Sequence, residues 1–483
     1  MSKVRKSILL SLGQNYASFV IQFVVSIILA RLLNPSEIGL YSIAAVLMGF
    51  ASSMRDFGIS NYIIQEKDLT PDKIRAAFTL TLFIAWTLAL VIALGSNYAA
   101  EFYHQPGVRS VMRILALNFV LIPFGTVPMA YMYKKMEFKY IALIKFFTNL
   151  TGSIATVTLA YLGYSYLSMA WGSVAGILCT FTLVQLWRSK DIPFAPGIKG
   201  IRKVFSFGTL SSGIMLLTDL CQAEPDLIIG RLSNMASVGY FGRAMGLIAT
   251  FDMLVMRSIW DVAFPHFSEQ SKNNEPPVKI FEGSLMLLSA VAWPFFINLA
   301  LMAQPIVIGL YGKQWIDSII PLQLLCLFTL AKSPFSLMTS IMTAIGKIEQ
   351  NLYQLLIRVT IRGILIIIAV PKGLIAIGLS FIIIGIIESI TDFIQCRNAI
   401  GLTVGGIVKN LQKSIIIAIF SSIPSLIIYF GSGKNIPQKP WENIFISVIP
   451  TMIIWISMIF ITKHPLRNEI THSINIITKR PSQ

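Results

Sequence analysis

Charged side chains are scarce in this chain: Asp, Glu, Lys and Arg make up 13% of its 483 residues, against 55% hydrophobic ones. So little polar surface cannot cover a folded chain in water, which excludes an ordinary soluble domain. Cysteine is nearly as rare. Cys179, Cys221, Cys326 and Cys396 lie far apart within or beside apolar segments, which suggests neither a disulfide framework nor a metal site. The four histidines, His104, His266, His464 and His472, are scattered without metal-ligand spacing and without a nucleophile nearby. No phosphate-binding loop of the GxxxxGK[ST] type occurs, so ATP hydrolysis is not expected. No loop assigned below to the outer face is long enough for a catalytic domain, and the chain reads as a non-enzyme.

What is there is a succession of apolar runs, each long enough to cross a hydrocarbon core of roughly 30 Å as a helix. The chain is read as an all-α integral membrane protein of about fourteen spans, centred near residues 20, 48, 87, 120, 151, 176, 214, 249, 291, 331, 361, 386, 421 and 452. The basic start MSKVRK is followed by an apolar run that continues past Val20 without a small-residue cleavage site, so it reads as a retained first span. The formal charge of +17 is the one feature that would suit a nucleic-acid binder. Its distribution argues otherwise, because basic residues are roughly threefold more numerous in alternate loops, which assigns both termini to the cytoplasm.

The sequence repeats itself. IILARLLNPSEIGLY, from Ile27, returns as LIIGRLSNMASVGYF, from Leu227, with Arg31, Asn34 and Gly39 falling on Arg231, Asn234 and Gly239. Further on, Lys135 and Glu137 correspond to Lys347 and Glu349. Spans one to six thus pair with seven to twelve. The expected organisation is an N-terminal six-helix lobe over 1–190, a cytoplasmic linker over 191–203, a C-terminal six-helix lobe over 204–400, and two added helices with a cytoplasmic tail over 401–483. Two repeats that enter from the same side are related by an axis along the membrane normal, the arrangement in which a substrate sits between two rocking bundles.

Ionisable residues inside spans are costly unless paired or wetted, so each is a functional candidate. Asp219 and Asp226 share one face of the seventh span, beside Glu224 and Pro225, and Arg243, Asp252 and Arg257 follow in the eighth. Arg358 and Arg362 form an i,i+4 pair in the eleventh span, and Glu388 and Asp392 another in the twelfth. Like charges one turn apart repel. Two guanidinium groups so placed would suit an anionic visitor, and their planar forks match phosphate. Asp219, Asp226, Asp252, Arg257, Glu388 and Asp392 are candidates for ion coupling or for internal salt bridges. PDKIRAAF, Pro71 to Phe78, reads as an amphipathic lead-in to the third span at headgroup level.

ILARLLNPSEIGLYSIA, RDFGISNYIIQ and PDLIIGRLSNMASVGYFGRAMGL together resemble the polysaccharide transporter branch of the multidrug/oligosaccharidyl-lipid/polysaccharide exporter superfamily. Within it the resemblance is to Wzx-type flippases, especially the colanic-acid-exporter-like group, and it runs from about Ser7 to the fourteenth span. It implies a V-shaped bundle of two six-helix repeats plus two helices. The implied activity is alternating-access translocation of undecaprenyl-diphosphate-linked oligosaccharide repeat units across the bacterial inner membrane, for surface or exopolysaccharide synthesis. A proton or sodium gradient would drive it, with no cofactor, and a polymerase and export machinery would be its partners. Placed by depth and face, the cationic cavity that such cargo needs would be lined by Arg31, Lys145, Arg243, Lys332, Arg358 and Arg362. A lipid II flippase of the same superfamily and a cation-coupled multidrug antiporter are the alternatives. A membrane scaffold or receptor without transport is a third.

Overall fold

The computed structural model describes residues 3–56, 58–188, 195–199, 201–256, 277–344, 347–431 and 439–471, and among them there are helices and no strands. Arg257 lies outside the described residues. The helices are α1 (Lys3–Leu32), α2 (Pro35–Asp56), α3 (Ile59–Gln65), α4 (Pro71–Phe102), α5 (Pro106–Leu121), α6 (Pro123–Lys134), α7 (Phe138–Tyr161), α8 (Leu167–Trp187), α9 (Ile201–Leu232) and α10 (Met235–Phe251). They continue as α11 (Pro277–Leu301), α12 (Ala303–Tyr311), α13 (Ile319–Lys332), α14 (Met338–Ala344), α15 (Ile348–Ala369), α16 (Leu374–Ile400), α17 (Val404–Ser421), α18 (Ile423–Gly431) and α19 (Pro440–Ile461).

Among the described residues twelve helices are long and apolar enough to cross a membrane, and thirteen if α5 and α6, bent by 49° where Pro123 opens α6, count as one span. The remaining expected span, near residue 214, coincides with α9, which runs as one helix through Pro225. Large apolar side chains point outward in numbers that water would not tolerate: on α19 alone Phe445, Ile449 and Ile453 are 56–60% exposed, as a lipid-facing surface requires.

The chain forms two compact units, Met1–Gly239 and Tyr240–Gln483. In the first, α7 packs on α8, α4 on α5, α1 on α7 and α2 on α9. The α7–α8 contact is close because Gly152, Gly172 and Gly176 face one another, and a Cβ on Gly172 would have no room against Thr156. In the second unit α13 packs on α16, α11 on α17 and α13, and α15 on α16. The boundary falls inside α10, and α9, which the repeat assigns to the second half, packs on α2, α3 and α4. PDKIRAAF leads directly into the long apolar helix α4. It forms the first turns of α4, where Thr70 caps the Lys73 N–H at 3.4 Å and Ile74, Ala76, Ala77 and Phe78 are buried against α3 and α6.

The duplicated phrase has a physical reading at each of its matched positions. Arg31 and Arg231 stand in the last turns of α1 and α9, where a cation is favoured by the helix dipole. Asn34 and Asn234 cap the next helices: Asn34 Oδ1 accepts the Glu37 N–H at 2.9 Å and Asn234 Oδ1 the Ser237 N–H at 2.8 Å. In the first copy Glu37 returns the favour to the Asn34 N–H at 2.8 Å, closing a capping box that Ser237 cannot complete. Gly39 lies on the backbone of Met235, and Gly239 lies on the backbone of Pro35, with no space for a Cβ at either site. Pro35 and Met235 are themselves equivalent positions of the repeat. Residue i meets j and j meets i, the signature of a local two-fold axis.

A second buried polar feature lies beyond the last span. His464 is 1% exposed; its Nδ1 accepts the Leu466 N–H at 3.2 Å, and its Nε2 faces Ser414 Oγ at 3.4 Å, which in turn is 3.0 Å from Ser289 Oγ. Burial and the neighbouring Lys413 lower its pKa from 6.5 to about 4.

Two outcomes are expected. Gly39→Ala and Gly239→Ala should each lower thermal stability by about 1–3 kcal/mol, because backbone cannot give way as a side chain would, and the double variant should lose less than the sum. Gly49→Ala, with open space around it, should not be destabilised. His464 is held neutral in the fold but protonates in the unfolded chain below pH 6.5, so stability should be unaffected above pH 6.5 and fall as pH drops from there to about 4. His464→Gln should flatten that part of a pH series of melting temperatures.

Candidate functional site

The charged residues of the expected site fall into one tight group and several separate positions. The group is in the second unit, where α13, α15 and α16 meet. Gly378 and Gly385, seven residues apart on α16, let α13 approach, and their Cβ positions would run into Leu324 and Phe328. Ser389, one turn on, donates to the Ala331 carbonyl at 2.9 Å and so fixes the end of α13 that carries Lys332. Gln354, Arg358 and Arg362 lie at i, i+4 and i+8 along α15, opposite Glu388 and Asp392 at i and i+4 on α16. The two periodicities match, so each guanidinium finds a carboxylate.

Arg362 donates to Glu388 Oε1 at 2.5 Å, and Lys332 Nζ lies 2.8 Å from Glu388 Oε2, so one carboxylate holds two cations from two helices. Arg358 donates to Asp392 Oδ1 and to Gln354 Oε1, the latter at 3.1 Å. The burial is uneven. The carboxylates of Glu388 and Asp392 are 3% and 2% exposed, whereas Lys332 is 33% and Arg358 19% exposed. The anions are thus sealed in together with Arg362, at 8%, while Lys332 and Arg358 reach towards the surface of the group. Lys332 also lies over the Phe328 ring at 5.5 Å and within the field of Asp252, which opens a π-turn at the end of α10.

Arg243 stands apart from this group. Its guanidinium lies 5.2 Å from the ring centroids of both Tyr311 and Trp315, and it forms no ion pair among the described residues. The rings of Tyr311 and Trp315, rather than the carboxylate of Asp252, hold it. In the first unit Lys145 lies exposed on α7, 5.5 Å over the Tyr133 ring. Arg31 is exposed at the end of α1, Asp219 accepts a hydrogen bond from Ser53, and Asp226 is half-buried on α9 beside the buried Glu224.

Sequence reasoning missed two amides of the group. Gln354 ligates Arg358, and its position one turn before the Arg pair was the available signal. Gln395, seven residues after Glu388 on the same face of α16, is 7% exposed, and neither its amide nitrogen nor its oxygen has a hydrogen-bond partner among the described residues. The aromatic support of Arg243 had no signal, since Tyr311 and Trp315 come from a short helix and a 3-10 turn far along the chain.

Residues 28–320 match the model of a family described as polysaccharide biosynthesis protein. The chain is 23% identical to the lipopolysaccharide biosynthesis protein WzxC of Escherichia coli K12, over 92% of this chain and 90% of that one. It is 22% identical to the succinoglycan biosynthesis transport protein ExoT of Rhizobium meliloti strain 1021, over 62% of this chain and 60% of that one. Its fold is shared with the lipid II flippase MurJ in an inward closed conformation, at a TM-score of 0.75 and 16% identity, covering 94% of this chain and 99% of that one.

Breaking one partner of the group and removing both should differ sharply. Asp392→Ala strands Arg358 and is expected to cost about 3–5 kcal/mol, whereas Asp392→Leu with Arg358→Met should recover most of that loss. Thermal unfolding of the four corners of that cycle in detergent checks it.

Proposed function

The chain belongs to the polysaccharide biosynthesis protein family, and from that premise we propose that it is a flippase for undecaprenyl-diphosphate-linked oligosaccharide repeat units. The relatives named for lipopolysaccharide and succinoglycan biosynthesis support a polysaccharide precursor as cargo. The observation that carries the reading is chemical: Lys145 and Arg243, one in each unit, are cations of membrane-spanning helices that rest on aromatic rings and not on carboxylates. A permanent positive charge kept in that way is poised for an anion from outside the chain. A diphosphate supplies one, and its sugars and lipid need no charge at all.

In this reading the chain performs no bond chemistry. It carries the head group between leaflets by alternating access, sits in the bacterial inner membrane with both termini in the cytoplasm, and draws on a proton or sodium gradient. The polymerase and export machinery would take up the delivered unit. The cavity cations Arg31, Lys145, Arg243, Lys332, Arg358 and Arg362 would contact the diphosphate at different stages of the cycle.

Deleting the gene and extracting lipid-linked intermediates tests this. A complete repeat unit should accumulate on undecaprenyl diphosphate while its surface polymer is lost, and a copy carrying Arg243→Gln and Lys145→Gln should restore the polymer several-fold less well at equal protein level. Normal polymer with accumulated lipid II, or with altered drug sensitivity alone, would overturn the reading.

A further inference from the structure

Three cations and two carboxylates share the interior of the second unit, and their unequal burial has a consequence for how an anion could bind there. Glu388 occupies Lys332 and Arg362 at once, at 2.8 and 2.5 Å, the geometry by which two cations would grip one end of a diphosphate. Glu388 itself is buried, whereas Lys332 is the most exposed member of the group, at 33%. We infer that Glu388 is an internal stand-in for the cargo's anionic group, displaced from Lys332 and Arg362 when a prenyl diphosphate binds and taking up a proton as it leaves them. The inference rests on the flippase reading given above.

The proton follows from the environment of the displaced group. Glu388 lies in a membrane-spanning helix, 3% exposed, and a carboxylate there without a cation cannot keep its charge. Asp392 cannot relieve it: it is an anion itself and stays paired with Arg358. Asp252 is a further acid, within the electrostatic reach of Lys332. Lys332, Arg358, Arg362 and Asp392 are the charged groups set around Glu388 from α13, α15 and α16 among the described residues, and with Arg358 held by Asp392 none is left to neutralise it once Lys332 and Arg362 turn to the diphosphate. A cavity of about 10 Å³, lined by Arg358, Glu388 and Thr391 together with four isoleucines, is the size of a single water and lies beside Glu388. Gln395 and the Nε of Arg358, buried and without hydrogen-bond partners among the described residues, leave hydrogen-bonding capacity for the rearranged group. The exchange balances: the diphosphate brings its charge in, Glu388 loses its own by gaining one proton, and no bond other than O–H is made. Cargo binding and proton uptake become one event, and when the cargo leaves, Glu388 gives up its proton and closes again on Lys332 and Arg362.

Calorimetric titration of the full chain in nanodiscs with farnesyl diphosphate, near pH 8 where the diphosphate is already ionised, reads both quantities. Repeating it in buffers of different ionisation enthalpy gives the protons taken up per diphosphate. Wild type should take up about one proton; Glu388→Gln should bind at least as tightly with none; Arg362→Gln should bind more weakly. Glu388→Asp, which keeps the charge but draws it back by one methylene, should bind more tightly than wild type with uptake preserved, and serves if the Gln variant does not fold. Wild-type binding without proton uptake, an unchanged proton number in a folded Glu388→Gln, or loss of its affinity would overturn the exchange and leave the flippase reading standing. A wild-type chain that binds no diphosphate overturns both.

Discussion

A charge in hydrocarbon must be answered by an opposite charge, by water or by an aromatic face, and the second unit is organised around that requirement. Glu388 bridges Lys332 and Arg362, Asp392 holds Arg358, and the small residues Gly378, Gly385 and Ser389 bring the helices near enough for these contacts. Such a network contributes little net stability over a well-packed apolar core, since desolvation offsets much of the attraction. Its retention is therefore better explained by what the cations do when the carboxylates release them. Arg243 on Tyr311 and Trp315 shows the other solution, in which the cation is tolerated without being neutralised.

The duplicated phrase solves a different problem, that of bringing two helix ends to the same place twice. A terminal arginine closes one helix, an asparagine caps the next, and a glycine lets the two copies cross backbone to backbone, Gly39 on Met235 and Gly239 on Pro35. The matched letters are those with a backbone duty, while the columns between them drift among apolar residues. A contact that is so tight and so nearly symmetric has few intermediate positions, which suits an element that is either made or broken.

Much of this was legible beforehand. Apolar runs gave most of the spans, and the i,i+4 spacings put Arg358 with Arg362 and Glu388 with Asp392 on single faces. What the spacing could not give is the rotation of one helix against another, and so the two pairs read as separate clusters when they are one. Lys332 joined them only because Ser389 fixes the end of α13 against α16. Gln395 was invisible for a simpler reason: one amide in an apolar run carries no periodicity.

The most direct test of the account is transport itself. Purified protein reconstituted into liposomes with a prenyl-diphosphate-linked oligosaccharide in one leaflet should move the sugar to the other, as read by its accessibility to an added glycosidase, faster than protein-free vesicles and faster than vesicles holding Arg243→Gln. Folded wild-type protein that leaves the oligosaccharide in its original leaflet, with or without an imposed proton gradient, would contradict the account at its centre.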